Sequence, residues 1–324
     1  MEAIVFSKYG SPDVLRREDV EKPTPSDDEV LIRVRAASVN PYDWHFLRGW
    51  PYIARAVFGL WKPKVTTLGV DVAGQITAVG RNMTGFKPGD EVFGTCDGAF
   101  AEYACPQASA VVIKPGNVSF EQAASAPIAA LTALQALRDL GHIQPGAKVL
   151  INGAAGGCGT FAVQIAKWFG AAVTGVCSAT NVEMVRSIGA DRVVDYTQED
   201  FTRGSEQYDV MFDCIGNHSL SACRRVLQPR GIYIMVGGPS GRWLAPVPRL
   251  LRMLALSPFV SQRLLMVHAR RNGGDLVIIG ELMESGKITP VIDKRFALRE
   301  VPEAIRYVEK GHARGKVVIT LGAS

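Results

Sequence analysis

A glycine-rich run in the middle of the chain has the residue types and spacing to bind a phosphate. Residues 153–159 read Gly-Ala-Ala-Gly-Gly-Cys-Gly and lie between an apolar run, 148–152, and an apolar helical stretch, 161–169. Glycines at such a turn let backbone N–H groups approach a pyrophosphate, and the positive end of the following helix favours the anion. A dinucleotide is the ligand that this turn predicts. Its candidate contacts are Ala155, Gly156, Gly157 and Cys158.

The segments around this run must support the prediction, because the run departs from a strict G-x-G-x-x-G pattern. A second short apolar stretch, 172–177, completes a strand–helix–strand unit. Further strands are predicted at 192–196, 208–214 and 231–236, and helices at 182–188 and 221–227. Strands that alternate with helices predict a parallel, doubly wound sheet with helices on both faces.

The chain changes character on either side of this region. Alternating apolar runs such as Val30–Arg35 and Gly69–Val79, separated by Pro and Gly turns, predict an antiparallel β domain. A helix over Glu121–Leu140 is expected to enter the nucleotide domain. Helices at 275–285 and 302–310 and a strand at 316–320 are expected to return to the first domain. We therefore predict one domain from 1–124 with 272–324 and a dinucleotide-binding domain from 125–271.

Composition excludes several classes of protein. The 324 residues include 36 Lys and Arg against 31 Asp and Glu, and the net charge of +5 is scattered, whereas nucleic-acid binding requires a clustered basic face. No apolar run reaches the ~20 residues of a membrane span, and the start of the chain lacks a signal-peptide pattern. A cytoplasmic protein without stable membrane insertion is expected. The six cysteines do not form a disulfide framework, so reduced thiols are expected.

One segment is unusual for a protein surface. Residues 242–266 interleave many large apolar side chains, Trp243 and Leu244 among them, with arginines. This pattern is typical of a covered element, such as a lid or packing helix over the active site or a dimer contact. An amphipathic helix on a membrane surface is the alternative.

Several motifs spread along the chain resemble the medium-chain dehydrogenase/reductase superfamily. They are Ala-Ser-Val-Asn-Pro-Tyr-Asp at 37–43, Gly-Val-Asp-Val-Ala-Gly at 69–74, Lys-Pro-Gly-Asp-Glu-Val-Phe at 87–93, the glycine-rich run, and Gly-His-Ala-Arg-Gly-Lys-Val-Val at 311–318. The resemblance covers essentially the whole chain. It implies an α/β fold in which a GroES-like antiparallel β domain accompanies a Rossmann-type doubly wound parallel sheet.

Within that superfamily the sequence resembles the zinc-free quinone oxidoreductase branch. Members of this branch are NADPH-dependent reductases of quinones and α,β-unsaturated carbonyls, and they are commonly dimeric. The resemblance therefore implies NADPH as cofactor, a small quinone or enone as substrate and a homodimer. No nucleic-acid partner is expected, because the basic residues are scattered rather than clustered on one face.

Zinc ligands are the feature that separates this branch from the alcohol dehydrogenases. By resemblance, Asn40 stands where those enzymes have a catalytic cysteine, and Val70-Asp71 stands where they have a His-Glu pair. Only Cys96 and Cys105 occur in the first domain, too far apart for a structural zinc site. No metal is therefore expected. Without a Lewis acid, reduction of an already electrophilic conjugated system is favoured over oxidation of an alcohol.

The resemblance also suggests catalytic residues. Asn40 and Asp43 are expected beside the nicotinamide and the substrate, where an amide donor could stabilise a developing enolate oxygen. Ordinary turn chemistry is the alternative for both residues, because Asn-Pro followed by Asp is a common turn sequence. His45 is a candidate proton donor where relatives often have a tyrosine, and a purely structural role is the alternative.

The turn after the second strand predicts which dinucleotide is bound. NAD enzymes place an Asp or Glu there, whereas this chain has Ser178, Thr180 and Asn181, which favours NADPH over NADH. By resemblance Tyr196 lies beside the adenosine, although a strand-end aromatic is an equal alternative. Arg314 or Lys316 could supply the charge for the 2′-phosphate, unless they belong to a solvated basic turn.

The remaining candidate cofactor contacts also come from the family pattern. Thr132 matches a threonine of the nicotinamide pocket, and simple helix packing is its alternative. Residues at the ends of the later strands are candidates too, although their glycines could be plain turn residues: Cys214, Gly216, Val236, Gly237 and Gly238. An accessory or sensor protein that binds NADPH with little turnover is the alternative function.

Overall fold

The computed structural model describes residues 1–238 and 246–322 and divides the chain into two compact units. Unit 1 is Met1–Leu131 with Arg271–Ser324, and unit 2 is Thr132–Arg270. The predicted domains, 1–124 with 272–324 and 125–271, stay a prediction beside this division. Trp243 and Leu244 of the apolar–basic segment lie outside the described residues.

The elements of the described residues are numbered in chain order. The strands are β1 Glu2–Val5, β2 Arg16–Asp19, β3 Val30–Val39, β4 Asp71–Val79, β5 Glu91–Thr95, β6 Tyr103–Ala104, β7 Val111–Ile113, β8 Lys148–Asn152, β9 Ala172–Cys177, β10 Arg192–Asp195, β11 Tyr208–Asp213, β12 Leu227–Met235, β13 Arg263–Met266, β14 Ile292–Ala297 and β15 Lys316–Thr320. The α-helices are α1 Pro41–Arg48, α2 Arg55–Phe58, α3 Phe120–Ser125, α4 Pro127–Gln135, α5 Gly157–Trp168, α6 Val182–Ser187, α7 Leu220–Arg225, α8 Val247–Leu256, α9 Gly273–Glu284 and α10 Val301–Glu309.

Unit 2 contains a parallel sheet of the predicted Rossmann type. Its described strands lie in the order β10-β9-β8-β11-β12-β13, and every neighbouring pair is parallel. The predicted unit of β8, α5 and β9 is present, and α5 begins four residues before the apolar stretch at 161–169, at Gly157. Strand order reverses direction at β8, so the carboxyl ends of β8 and β11 form the switch point where such sheets bind ligands.

The apolar–basic segment contributes to this sheet as well as to a helix. The sequence predicts a covered element over 242–266, but its last part, Arg263–Met266, is strand β13 and pairs in parallel with β12. A strand of only four residues carries too little alternation of apolar and polar residues to be recognised from its sequence.

Unit 1 contains the predicted GroES-like sheet with one departure from an antiparallel pattern. Strands β3 and β4, from the two alternating runs of the sequence, pair antiparallel, as do β15 and β3. Strands β14 and β15 pair in parallel because helix α10 lies between them in the chain and returns it in the same direction. Since Val317 pairs with Val39, the last strand carries Lys316 next to Asn40.

The long helix predicted over Glu121–Leu140 is divided in the structure. Helix α3 ends at Ser125, α4 begins at Pro127, and a π turn covers Ala136–Leu140. A proline has no N–H for the preceding turn and fits the first position of a new helix, which explains the break. In the described residues no helix combines the length and apolar character needed to cross a membrane.

Candidate functional site

The glycine-rich run of unit 2 forms a tight turn between β8 and α5. Gly153 has a φ of +87°, and a Cβ on Gly159 would lie 2.0 Å from the carbonyl oxygen of Gly153. The start of α5 therefore approaches the turn too closely for any other residue at 159. Gly156 caps α5, and the first N–H groups of a helix have no partner within it. Ala155, Gly156, Gly157 and Cys158 all lie in this turn or in the first turn of α5.

The other predicted strand-end residues of unit 2 lie at the same edge of the sheet. Asn152 at the end of β8 is opposite Asp213 at the end of β11, which is opposite Met235 at the end of β12. Cys214 and Gly216 follow β11. Val236, Gly237 and Gly238 follow β12, and the N–H groups of Val236 and Gly237 donate to the Asp213 carbonyl at 2.9 and 3.1 Å.

Asp213 is a buried carboxylate at this edge that the sequence analysis did not single out. One oxygen, Oδ1, accepts hydrogen bonds from the N–H of Gly216 at 2.8 Å and from Asn152 Nδ2 at 2.8 Å. The other, Oδ2, accepts from the hydroxyl of Tyr233 at 2.7 Å. Asp213 therefore fixes the turn that carries Cys214 and Gly216. An aspartate ending an otherwise apolar strand was the available signal.

Arg249 attaches helix α8 of the apolar–basic segment to this network. Its Nη2 donates to the hydroxyl of Tyr233 at 2.7 Å and pairs with Asp213 Oδ2 at 3.4 Å. Its Nη1 donates to the carbonyl of His218 at 2.7 Å. The side chain is only 13% exposed. One arginine of the segment is thus a buried anchor, whereas Leu254 and Phe259 are largely exposed.

The turn after β9 contains the polar residues that the sequence predicts for cofactor selection. Asn181 Nδ2 donates to the hydroxyl of Ser178 at 3.0 Å, and the hydroxyls of Ser178 and Thr180 are 3.3 Å apart. The Asn181 Oδ1 atom is buried and accepts no hydrogen bond. A buried acceptor without a partner costs free energy, so this turn is suited to receive a donor group.

The same turn also receives a carboxylate that the sequence analysis missed. Asp195, at the end of the neighbouring strand β10, accepts hydrogen bonds from the N–H of Thr197 at 3.0 Å and from the N–H of Ala179. The hydrogen bond from the Thr197 backbone is the main cause that lowers the Asp195 pKa. Tyr196 follows it and is 54% exposed. Only the pairing of β9 with β10 brings Asp195 to the turn after β9.

These features fit the dinucleotide that the family implies. The cradle between β8 and α5 suits a pyrophosphate, and the orphaned Asn181 oxygen suits a hydroxyl or amino donor. Thr132 lies in α4 and is half-buried. Its predicted contact with the nicotinamide stays a prediction, as do the individual contacts of the other candidate residues.

In unit 1, Asp43 is a fully buried residue in the first turn of α1. Its Oδ2 accepts a hydrogen bond from the N–H of Asn40 at 2.7 Å, and its Oδ1 accepts one from the N–H of Gly69 at 3.0 Å. Asp43 thereby joins the start of α1 to the turn before β4. Burial raises its pKa to about 7, against the two backbone N–H donors, which lower it.

His45, the candidate proton donor, lies on the same helix. Its ring stacks on that of Trp44, with the ring centroids 3.6 Å apart. Burial lowers the pKa of its imidazole, so the neutral form predominates at pH 7.

Asn40 belongs to a buried polar cluster that we call the Asn40 cluster: Ser38, Asn40, Asp71 and Lys316. Lys316 Nζ donates to Asn40 Oδ1 at 2.6 Å, and Asn40 Nδ2 donates to Asp71 Oδ2 at 2.8 Å. Lys316 Nζ also pairs with Asp71 Oδ2 at 3.2 Å. Asn40 is 4% exposed and Lys316 is 3% exposed.

The two basic residues proposed for the 2′-phosphate have different surroundings. The ammonium of Lys316 is occupied by Asn40 and Asp71 in the interior of unit 1, while Arg314 is exposed and donates its N–H to Asp293 at 3.0 Å. The sequence analysis placed Asp71 only as a replaced zinc ligand. An aspartate inside the apolar run at 69–79 was the signal that it is buried and paired.

Comparison with known families agrees with this architecture. Residues 26–116 match the family described as the alcohol dehydrogenase GroES-like domain, and residues 188–319 match the family described as zinc-binding dehydrogenase. The residues of this chain do not fit a zinc ion, because the side chains of Asn40 and Asp71 are hydrogen-bonded to each other and both contact the ammonium of Lys316. Within 1–238 and 246–322, no three or more His, Cys, Asp and Glu side chains are grouped to hold a metal.

Individual proteins match over nearly the whole chain. The 2-methylene-furan-3-one reductase of Solanum lycopersicum is 34% identical over 98% of this chain and 79% of its own length. The structure of the quinone oxidoreductase from Coxiella burnetii has a TM-score of 0.89 at 30% identity and covers 99% of both chains. The Escherichia coli quinone oxidoreductase complexed with NADPH has a TM-score of 0.85 at 25% identity and covers 99% of this chain and 100% of its own. With its glycine cradle, its two sheets and relatives that match over nearly the whole chain, this chain belongs to the zinc-free quinone oxidoreductase-like branch of the medium-chain dehydrogenase/reductase superfamily.

Proposed function

We propose that this protein is an NADPH-dependent, zinc-independent oxidoreductase that reduces a quinone or an α,β-unsaturated carbonyl compound. The observation that carries the proposal is the cradle between β8 and α5 at the carboxyl edge of a parallel sheet. The names of the relatives, an enone reductase and quinone oxidoreductases, supply the class of acceptor.

The residues of unit 2 bind and orient the cofactor in this proposal. The turn at 153–159 and the start of α5 hold the pyrophosphate, and the turn with Ser178, Thr180 and Asn181 holds the adenosine ribose. NADPH, when bound, supplies the hydride for the reduction. The absence of a carboxylate directly after β9 favours NADPH, whereas the Asp195 carboxylate beside that turn limits the preference, because it repels a 2′-phosphate.

The residues of unit 1 stabilise the reduced acceptor. Hydride addition to the β-carbon of an enone leaves negative charge on the carbonyl oxygen, and the amide of Asn40 can donate a hydrogen bond to that oxygen. His45 is neutral at pH 7 and its ring hydrogen-bonds to the backbone of Trp50, so it contributes no positive charge to the acceptor. Solvent then supplies the final proton to the enolate.

The test is NADPH oxidation by the purified, chelator-treated protein, followed by nicotinamide absorbance with a quinone and with an enone. We expect turnover with both acceptors, slower turnover with NADH, and no stimulation by added zinc. An Asn40→Ala variant should lose roughly a hundredfold in kcat with the enone, since it removes an oxyanion donor. Turnover that requires zinc, or oxidation of simple alcohols instead, would contradict the proposal.

A second candidate function is an NADPH-binding accessory protein with little turnover. The observation that favours it is the engagement of the Asn40 amide at both ends, by Lys316 and by Asp71. Tight NADPH binding without turnover of any quinone or enone in the same assay would support this candidate against the first.

We also propose that the protein is a cytoplasmic homodimer. Strand β13 pairs only with β12 in the described chain, so its other edge has free backbone groups that a second copy could pair. Exposed Leu251, Leu254 and Phe259 on the neighbouring α8 and the turn after it provide apolar surface for such an interface.

A further inference from the structure

Lys316 and Asp71 act together on the side chain of Asn40. A lysine ammonium can only donate hydrogen bonds and an ionised carboxylate can only accept them. The oxygen of the Asn40 amide must therefore face Lys316, at 2.6 Å, and its nitrogen must face Asp71, at 2.8 Å. The pair allows a single orientation of the amide.

Asp71 is itself held in place by further donors. Its Oδ2 accepts the hydroxyl proton of Ser38 at 2.6 Å, and its Oδ1 accepts the N–H of Ile128 at 2.9 Å. Ile128 lies in the first turn of α4, where the positive end of the helix dipole stabilises a carboxylate. The buried charge of Asp71 is thus matched by Lys316 and by three neutral donors, so the cluster is electrically balanced.

The second hydrogen of the fixed amide is only weakly engaged within the protein. One hydrogen on Nδ2 is used by Asp71, and the other faces only the carbonyl of Ser38 at 3.4 Å, a long contact. Donation by a cation to the amide oxygen polarises the amide and strengthens its N–H as a donor. Lys316 thereby increases the ability of Asn40 to stabilise negative charge on an oxygen.

We propose that Lys316 is a positioning residue for the reduction, acting through the Asn40 amide rather than through a cofactor phosphate. This inference rests on the proposed function. The ammonium of Lys316 is held by Asn40 and Asp71 and acts only as a hydrogen-bond donor.

The experiment compares Lys316→Met, which leaves Asp71 with a buried and partly unmatched charge, with the charge-balanced double variant Lys316→Met/Asp71→Asn. In both, kcat for an enone should fall about tenfold or more, and kcat for a strongly electrophilic quinone should fall less. The Kd for NADPH and the ratio of NADPH to NADH turnover should stay within about twofold of wild type, because the cofactor phosphate is not a partner. In an Asn40→Ala background, Lys316→Met should cause no further loss.

Lys114→Met is the matched control, since Lys114 is also a buried lysine of unit 1, paired with Glu91 at 3.1 Å. An equal loss in this control would show that the Lys316 variants act through general destabilisation and would overturn the proposal. A loss of turnover with NADPH but not with NADH would show that Lys316 acts on the 2′-phosphate of the cofactor and would overturn the proposal. If Lys316→Met lowers kcat as much in the Asn40→Ala background as in wild type, Lys316 acts independently of Asn40 and the proposal is wrong.

A measurement without turnover separates this proposal from the proposed function. The side-chain amide signals of Asn40 in nitrogen–proton NMR should shift in Lys316→Met and stay unchanged in Lys114→Met. A wild-type protein that reduces no acceptor would defeat the proposed function alone, whereas unchanged Asn40 signals in Lys316→Met would defeat this inference even in an active enzyme.

Discussion

At the scale of the residue, the polar groups that matter most are the buried ones. Asp43, Asp71 and Asp213 are fully buried, and each accepts hydrogen bonds from backbone N–H groups. Such groups are rarely left unmatched, because an unpaired buried carboxylate costs several kcal/mol. Each aspartate therefore fixes a turn: Asp43 the start of α1, Asp71 the start of α4, and Asp213 the turn after β11.

Asp43 makes the stability of unit 1 depend on pH. Burial raises its pKa from 3.8 to about 7, so the folded protein binds a proton there that the unfolded chain releases above pH 4. The stabilisation from the protonated carboxyl is lost as the pH rises towards 7. Between pH 5 and pH 8 this loss should be about 2 to 3 kcal/mol of unfolding free energy.

The measurement is denaturant unfolding of wild type and Asp43→Asn at pH 5 and at pH 8. Asparagine cannot accept both backbone hydrogen bonds, so the variant protein should be less stable than wild type at both pH values. The asparagine does not titrate, so the difference in unfolding free energy between wild type and the variant should be about 2 kcal/mol smaller at pH 8 than at pH 5. Asp200→Asn is the control, because Asp200 is an exposed residue that also accepts a backbone N–H and the hydrogen bond from the Thr202 side chain lowers its pKa; the same comparison for this variant should give no difference between pH 5 and pH 8. The same stability difference between wild type and Asp43→Asn at pH 5 and at pH 8 would contradict this account of Asp43.

At the scale of the element, the cradle depends on how closely α5 approaches the end of β8. The contact that decides this is between Gly159 and the carbonyl of Gly153, where no side chain fits. Helix α8 provides a second case, since Arg249 inserts a guanidinium under the turn after β11 and binds its carbonyls. Both elements hold the carboxyl edge of the parallel sheet in shape.

Gly159→Ala should disturb the cradle without removing any polar group. The alanine Cβ would lie 2.0 Å from a backbone oxygen, so α5 must move away from the turn. The N–H groups at the start of α5 would then no longer point at the pyrophosphate. We expect the Kd for NADPH to rise at least about tenfold in a fluorescence titration. Gly204→Ala is the control, because its Cβ would have only ordinary contacts, at 3.6 Å and beyond. Unchanged NADPH affinity in a folded Gly159→Ala protein would refute the cradle assignment.

At the scale of the whole molecule, the chain makes two units with different sheet architectures. Unit 1 supplies the Asn40 cluster and unit 2 supplies the cradle. The edge of β13 that has no partner strand within residues 1–238 and 246–322 lies in unit 2, as do the exposed apolar residues of α8, so the proposed homodimer would join two dinucleotide units.

The dimer is tested by sedimentation of the wild-type protein and of Leu254→Glu. Leu254 is 70% exposed, so the substitution costs a monomer little, but a charge in an apolar interface is strongly unfavourable. We expect a dimer for wild type and a shift to monomer for the variant, whereas Lys310→Glu, on the surface of unit 1, should remain a dimer. A monomeric wild type at micromolar concentration would contradict the proposal.

The sequence by itself determined the class of fold and most elements of the parallel sheet. Periodicity and glycine placement are local properties, so β9 and β15 were predicted to the residue and the cradle was located from its spacing. Pro127, which divides the predicted long helix, was also visible in the sequence, but the helical periodicity on both sides concealed its effect.

Only the tertiary structure decided what the charged residues contact. Lys316 lies 276 positions from Asn40, and Asp195 reaches the turn after β9 through strand pairing, so neither neighbourhood leaves a local pattern. The identity of a residue states what it can donate or accept, whereas burial and distance decide with which partner. The sequence offered Arg314 or Lys316 as the charge for a 2′-phosphate, with a solvated basic turn as the alternative, whereas the packing of β15 against β3 brings Lys316 into contact with Asn40 and Asp71.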